Sequence, residues 1–331
     1  MKGMRIIDEK YDFGKKIIVY LVFEFILSII VIPILIFYGP FANIRNTLVT
    51  SAMTTFSHKY IVTLFLSQSK IDEIMKNSNN IATGSSNKNI LNFTNSHDNT
   101  IEVYDISSNR FKGKVILIHD PTRIQVGISS KLPKEGETVS TIAKENNAIV
   151  AINAGGFIGF VNGAWTGSGG IPGGIIIHNG KILYNNAYST DGKIDLIGFT
   201  NDGKLLVGKY TLDEIKNVGI KEGVSFRPAL IINGEPMIKK GDGGWGSTSR
   251  TAIGQRKDGT VIFLVIDGTF IRGLTGATLK DVQNIMLDYG AVNAANLDGG
   301  SSTTLYYKGK VINNPINPLG ERMVPTIFYA K

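Results

Sequence analysis

From Ile17 to Tyr38 the chain is almost wholly apolar, with Glu24 its only charge and Pro33 its only strong helix breaker. Wound as a helix, a run of this length reaches about 33 Å, enough for a bilayer core. Lys2, Arg5, Lys10, Lys15 and Lys16 precede it and Arg45 is the nearest basic residue after it. The positive-inside rule therefore makes residues 1–16 a cytoplasmic basic tail and sets the rest of the chain outside. A cleaved signal peptide is the competing reading. The apolar run is longer than an ordinary h-region and no A-x-A-like site follows, which favours a signal anchor over 17–38. Glu24 lies near the cytoplasmic end, where a carboxyl group can approach the interface.

After Gly39-Pro40, Ile44, Leu48, Ala52, Phe56, Tyr60 and Leu64 recur every four residues, predicting an amphipathic helical stalk over 39–76. His58, beside Ser57 on this stretch, reads as structural or solvated. Residues 77–100 are rich in Asn, Ser and Thr and poor in large apolar side chains, the composition of a polar linker. A domain beginning at Ile101 follows. Within it, short apolar runs such as Lys114 to Ile118, Ala148 to Ile152 and Val261 to Ile266 alternate with turns. Asn179-Gly180, Asp202-Gly203 and Asp258-Gly259 tolerate positive φ and mark hairpins. Helices are expected at Val139 to Asn146, Leu212 to Asn217 and Thr278 to Tyr289, the last with Thr278 as N-cap. The fold class is α+β, a hairpin-rich mixed β-sheet body with few helices, preceded by a transmembrane helix and an amphipathic helix.

Three apolar runs end on polar groups beside permissive turns. Ala148 to Ile152 leads into Asn153-Ala154-Gly155-Gly156-Phe157, and Val261 to Ile266 ends on Asp267-Gly268 after Ser249-Arg250-Thr251. Ala291 to Ala295 leads into Asn296-Leu297-Asp298-Gly299-Gly300-Ser301-Ser302-Thr303-Thr304. A strand that delivers a carboxylate to a donor-rich turn holds charge over a cleft.

The ordered set INAGGF, SRTAIG with KDGTVIFLVIDG, and NLDGGSSTT resembles the phosphodiester glycosidase family from about Ile101 to Lys331. It departs at one point, where the family's LDGGGSS is here Gly299-Gly300-Ser301. The resemblance implies hydrolysis of a sugar 1-phosphodiester at the anomeric carbon. Positive charge then gathers on the sugar ring while a phosphate departs, so the site needs a carboxylate, a cation and N–H donors. Asp298 and Asp267 are the implied catalytic carboxylates. Arg250, followed by Thr251, is the implied phosphate clamp, because its planar fork suits paired oxygens. Asn153, Gly155, Gly156, Arg272 in FIRGLT, and Gly299, Gly300, Ser301 and Ser302 complete the implied substrate-binding set. Trp245 and Trp165, in glycine-rich loops, are candidates to stack on a sugar face.

Composition narrows the alternatives. The chain has no Cys, which removes thiol chemistry and thiolate metal sites. G-x-S-x-G and H-E-x-x-H are absent and the four His are dispersed, which disfavours serine and zinc hydrolases. No cofactor is expected; the metal question stays open, with calcium or magnesium at Asp298 compatible with the residues. The net charge of +8 falls almost entirely after residue 40 and suits an anionic, phosphate-containing surface glycopolymer. No nucleic-acid motif accompanies it. Two further readings share these residues: a non-catalytic glycopolymer-binding or exopolysaccharide assembly protein, and a phosphodiesterase cleaving P–O.

Overall fold

A computed structural model describes residues 2–54, 59–95, 97–161, 164–165, 167–187, 189, 191–268, 275–317 and 320–331. Two compact units divide the chain, Met1–Lys76 and Asn77–Lys331.

The first unit opens with one helix, Lys2–Tyr38, whose apolar stretch Lys15–Tyr38 is long enough to cross a membrane. The stripe expected as a single stalk helix is interrupted. Helix Ala42–Thr54 is followed by Lys59–Thr63, and the chain then leaves the helix before resuming at Gln68–Ser78. The break falls at Ser67, whose hydroxyl and carbonyl take up amides of the next turn, Lys70 at 3.4 Å and Ile71 at 3.0 Å. Breaking the helix lets Val49, Ala52, Val62, Leu66, Ile71 and Ile74 bury together with Phe37, while Ile44, Tyr60 and Leu64 of the expected stripe stay exposed. His58 lies outside the described residues.

The second unit is α+β, built from three large sheets around one core and a two-stranded sheet of Phe160–Val161 and Ala164–Trp165. A seven-stranded sheet runs in the order Ile101–Ser107, Lys112–Ile118, Val261–Asp267, Arg250–Arg256, Ala291–Asn296, Ala229–Ile232, Glu235–Pro236. A five-stranded sheet contains Leu205–Tyr210, Ile194–Thr200, Ile220–Val224, Ile175–His178 and Lys181–Asn185. The other contains Lys310–Val311, Leu305–Tyr307, Val150–Asn153, Thr326–Ala330 and Ile124–Ile128. Ile116 and Phe263 from the first, Ile197 and Phe199 from the second, and Ile152 and Phe328 from the third share one buried cluster. All strand pairings among the described residues are antiparallel rather than mixed. The tight turns account for much of this, since a short hairpin can join only antiparallel neighbours. Asn179 and Gly180 take φ of 51° and 73° in one such turn.

Helices Val139–Glu145, Leu212–Val218 and Leu279–Asp288 match the expected three. Thr278 caps the last in a reciprocal capping box with Asp281.

The segment expected as a linker is docked. The Ala82 amide donates to the Met237 carbonyl at 2.8 Å and the Ser86 amide to that of Val207 at 2.9 Å, while Leu91 is fully buried. The compact body therefore starts near Asn77. Composition misses this docking because backbone amides and small polar side chains hold the strap, Ser86 Oγ accepting from the Val207 amide at 2.8 Å and Asn95 Nδ2 donating to Asp120 at 2.7 Å, with few large apolar residues involved.

Candidate active site

Asn153 is the last residue of Val150–Asn153, a strand buried on both faces, and its side chain is fully buried. Its Nδ2 donates to the Asp298 carbonyl at 2.5 Å. Its Oδ1 accepts from the Thr251 hydroxyl at 2.8 Å and from the Thr304 amide at 3.1 Å. One side-chain amide thus ties together all three motif segments. Backbone bonds reinforce the junction: the Leu297 amide reaches the Thr251 carbonyl at 2.9 Å, and the Asp298 amide reaches that of Ala154 at 3.2 Å.

Asp298 is half-buried, and its Oδ2 has no hydrogen-bond partner. Burial pushes its carboxyl up to about 6, against the opposing pull of the Ser302 hydroxyl, the Arg322 cation and the Gly299 amide. The same motif holds other unpartnered buried atoms: Asn296 Oδ1, Thr303 Oγ1 and Thr304 Oγ1. Arg322 faces it. Its Nη1 donates to Ser301 Oγ at 3.3 Å, its guanidinium lies 4.9 Å from the centre of the Phe157 ring, and its Nε has no partner. Buried polar groups are normally satisfied, so this concentration of unmet donors and acceptors marks a place built to meet something else.

The two glycines of the shortened turn stand where they are needed. A Cβ on Gly299 would come within 2.9 Å of the Ser249 carbonyl oxygen, and Gly300 has φ of 59°. Ser301 has no positive φ, so the missing third glycine is not required. Gly156 is confined likewise, since a Cβ there would lie 2.8 Å from the Phe226 ring. The Gly155 amide donates to the Thr326 hydroxyl at 3.0 Å.

Arg250 has a different setting from the one its sequence company implies. Its side chain is buried, with Nε on the Ala277 carbonyl at 3.0 Å and Nη2 on those of Trp245 and Gly246 at 2.9 and 2.6 Å. Burial lowers it to about 10. Two of these bonds fasten the loop before the strand and the third the segment at Ala277, leaving Nη1 as its one nitrogen with no hydrogen bond to the described residues. Asp267 is also occupied: its Oδ1 accepts from Asn313 Nδ2 at 2.9 Å and its Oδ2 from the Asn314 amide at 3.0 Å. Asn313 in turn bonds the Thr303 carbonyl and the Leu305 amide. Asp267 thereby braces the segment that carries Asp298. Arg272 lies outside the described residues, and of Trp165 only the backbone is described.

Arg322, Asn313 and the roles of Thr303 and Phe157 escaped the sequence reading. Arg322 sits in Gly320-Glu321-Arg322-Met323, which has no local signature. Its only signal is spatial. His97, His119 and His178 pair with Asp120, Glu102 and Glu222 respectively, away from the motifs. Among the described residues no three His, Asp or Glu side chains group to hold a metal ion.

A cleft of about 670 Å³ adjoins this region, with Gly156, Phe157, Phe226 and Trp245 in its wall.

Residues 146–331 match the family model described as phosphodiester glycosidase. An uncharacterized SPbeta prophage-derived protein of Bacillus subtilis (strain 168), YomE, is 30% identical over 217 residues, covering 63% of this chain and 31% of its own. The N-acetylglucosamine-1-phosphodiester alpha-N-acetylglucosaminidase of Bos taurus is 28% identical over 211 residues, 57% of this chain and 37% of its own. The matches thus cover about a third of the length of these curated relatives. The zebrafish catalytic domain of the same enzyme, solved auto-inhibited by its pro-peptide, superposes with a TM-score of 0.56 at 25% identity, over 75% of this chain and 87% of that one.

Proposed function

Because the chain belongs to the phosphodiester glycosidase family, we propose that it hydrolyses the glycosidic C1–O bond of a sugar 1-phosphodiester, N-acetylglucosamine-like, within a cell-surface glycopolymer. The substrate class follows the name of the Bos taurus relative. Residues 17–38 serve as a membrane anchor, within the apolar helical stretch Lys15–Tyr38, with the body on the extracytoplasmic side.

The observation that carries the reading is the Asp298 carboxyl, raised by burial to about 6 with an unmet oxygen, beside the Arg322 guanidinium and a run of hydroxyls. A carboxyl group in that range exchanges its proton near neutral pH, which suits it to take one from an attacking water. In its ionised form it also favours positive charge developing on the sugar ring. The phosphate is a good leaving group and needs charge neutralisation more than a proton. Arg322 supplies the cation, and Ser301 supplies a hydroxyl donor, while the Ser302 hydroxyl stays on Asp298. Asn153 holds the Asp298 backbone in place, and Asp267 acts at one remove through Asn313.

The test is hydrolysis of a methyl N-acetylglucosamine 1-phosphodiester in ¹⁸O water by the full chain in detergent. The expected result is free sugar carrying the label, released by wild type and not by Asp298→Asn. Label in the phosphate would instead identify P–O cleavage. Tight binding without turnover, unchanged in Asp298→Asn, would identify a binding protein.

A further inference from the structure

The large cleft is chemically unlike the surroundings of Asp298. Trp245 and Phe226 form an edge-to-face pair with ring centres 6.0 Å apart, giving it an aromatic wall. Lys193, Lys209 and Arg227 line it, as do Asp191, 4.0 Å from the Lys209 ammonium, and Asp195, which is half-buried and accepts no hydrogen bond from the described residues. Burial raises the Asp195 carboxyl while the Lys209 and Arg227 charges oppose the rise, as expected if both cations face it. A second cavity of about 320 Å³ shares Asp195, Lys209, Arg227 and Trp245 and continues the groove to the strap at Asn79 to Gly84. The pair of cavities exceeds what one monosaccharide fills, lying at the top of the usual range for small-ligand sites.

Two connections join the groove to the reaction centre. Phe157, in its wall, lies under the Arg322 guanidinium that reaches Ser301. Asn296, two residues before Asp298, holds the other side through its Nδ2 on the Arg227 carbonyl at 3.1 Å and its amide on that of Pro228 at 3.0 Å. An aromatic face for a sugar ring, a carboxylate for its hydroxyls and two cations for an anion make up a recognition set for a sugar phosphate.

We propose that this groove is a second subsite, which holds the next sugar phosphate on the alcohol side of the scissile phosphodiester, so that the protein acts within an anionic chain rather than on isolated diesters. The inference rests on the hydrolase reading above and deepens it. The cations argue for the alcohol side, because negative charge continues along the chain from the scissile phosphate.

The experiment compares, for the full chain, a methyl N-acetylglucosamine 1-phosphodiester with one whose alcohol is a sugar bearing its own phosphate monoester. The extended substrate is expected to have kcat/KM about tenfold higher or more, mainly through KM, which corresponds to one good charged contact. Removing its terminal phosphate should abolish most of the preference. In Lys209→Ala/Arg227→Ala the ratio of the two kcat/KM values should fall to within about twofold. Equal kcat/KM for both substrates in wild type, or a preference that survives the double substitution in a protein of unchanged melting temperature, overturns the subsite. If neither substrate turns over, the hydrolase reading fails on its own. Calorimetric binding of the extended diester to Asp298→Asn, with and without the Lys209 and Arg227 substitutions, then reads the groove directly. Affinity unchanged by those substitutions, or no binding at all, overturns it.

Discussion

Replacing Asp298 by Asn should stabilise the protein while removing its activity, and the gain should depend on pH. In the unfolded chain Asp298 titrates near 3.8, whereas in the fold it titrates near 6. Below pH 3.8 both states hold the proton and the carboxyl costs nothing. Between those values the folded state binds the proton that the unfolded state has lost, so stability falls as pH rises. Above pH 6 the burial cost of the ionised carboxylate is fully present, at most about 3 kcal/mol at 1.36 kcal/mol per pH unit. Asn has nearly the same shape and no charge. Asp298→Asn should therefore match wild type at pH 4 and exceed it progressively to pH 7.5. For a body of this size the gain corresponds to a melting temperature about 6–12 °C higher, less where solvent screens the group. Differential scanning calorimetry of both proteins across that pH range measures it. A difference that stays constant from pH 4 to 7.5, or a variant less stable than wild type at pH 7.5, would refute the assignment of a strained, ionised Asp298. Such a group is the expected signature of a residue held for chemistry at the expense of stability.

Arg322→Met removes a charge that favours ionised Asp298, so the acidic limb of the kcat/KM profile should move above pH 6; a limb that stays put or moves down contradicts the pairing. Asp267→Asn should lower kcat by less than about tenfold, against about a thousandfold for Asp298→Asn, because Asp267 braces a loop rather than touching the reaction. Steady-state rates on one substrate separate the two roles, and equal losses would return Asp267 to the chemistry. Asn153→Ala leaves the Thr304 amide and the Asp298 carbonyl without their partner and should cost about 3 kcal/mol, read by urea denaturation. A loss below about 1 kcal/mol would show that the three segments do not depend on that amide.

Local structure was legible wherever a short signal determines it. Thr278 and Asp281 announce a helix start, and Asn179-Gly180 announces a turn, because each supplies a hydrogen bond or a φ value that few other residues can. The motif ends at Asn153 and Asp298 were legible for a similar reason, since a strand that stops on a polar group beside glycine has few structural uses. Partner choice among strands was not. Lys112–Ile118 lies between its hairpin neighbour Ile101–Ser107 and the distant Val261–Asp267, and all three offer interchangeable apolar side chains. The stalk helix was read as continuous because a four-residue period gives one apolar face and says nothing about whether a break lets other residues such as Val49, Val62 and Ile71 bury instead.

The contrast between Arg250 and Arg322 shows what linear reading leaves out. Both are guanidiniums able to clamp a phosphate, and only Arg250 lies inside a recognisable motif. Yet the glycine-rich loop before Arg250 and the segment at Ala277 present carbonyls that would otherwise lack these donors, and a guanidinium is the side chain best able to satisfy several at once. A position can therefore demand arginine for architecture as strongly as for chemistry, and sequence cannot separate the two demands. The fold can, because a structural guanidinium ends with most of its donors bound to the protein. Arg322 has the opposite pattern: an unmet Nε, one long bond to Ser301, and a stack on Phe157 that orients the group without using its donors. The donors left over, rather than the motif, are the reason for the phosphate role proposed for Arg322.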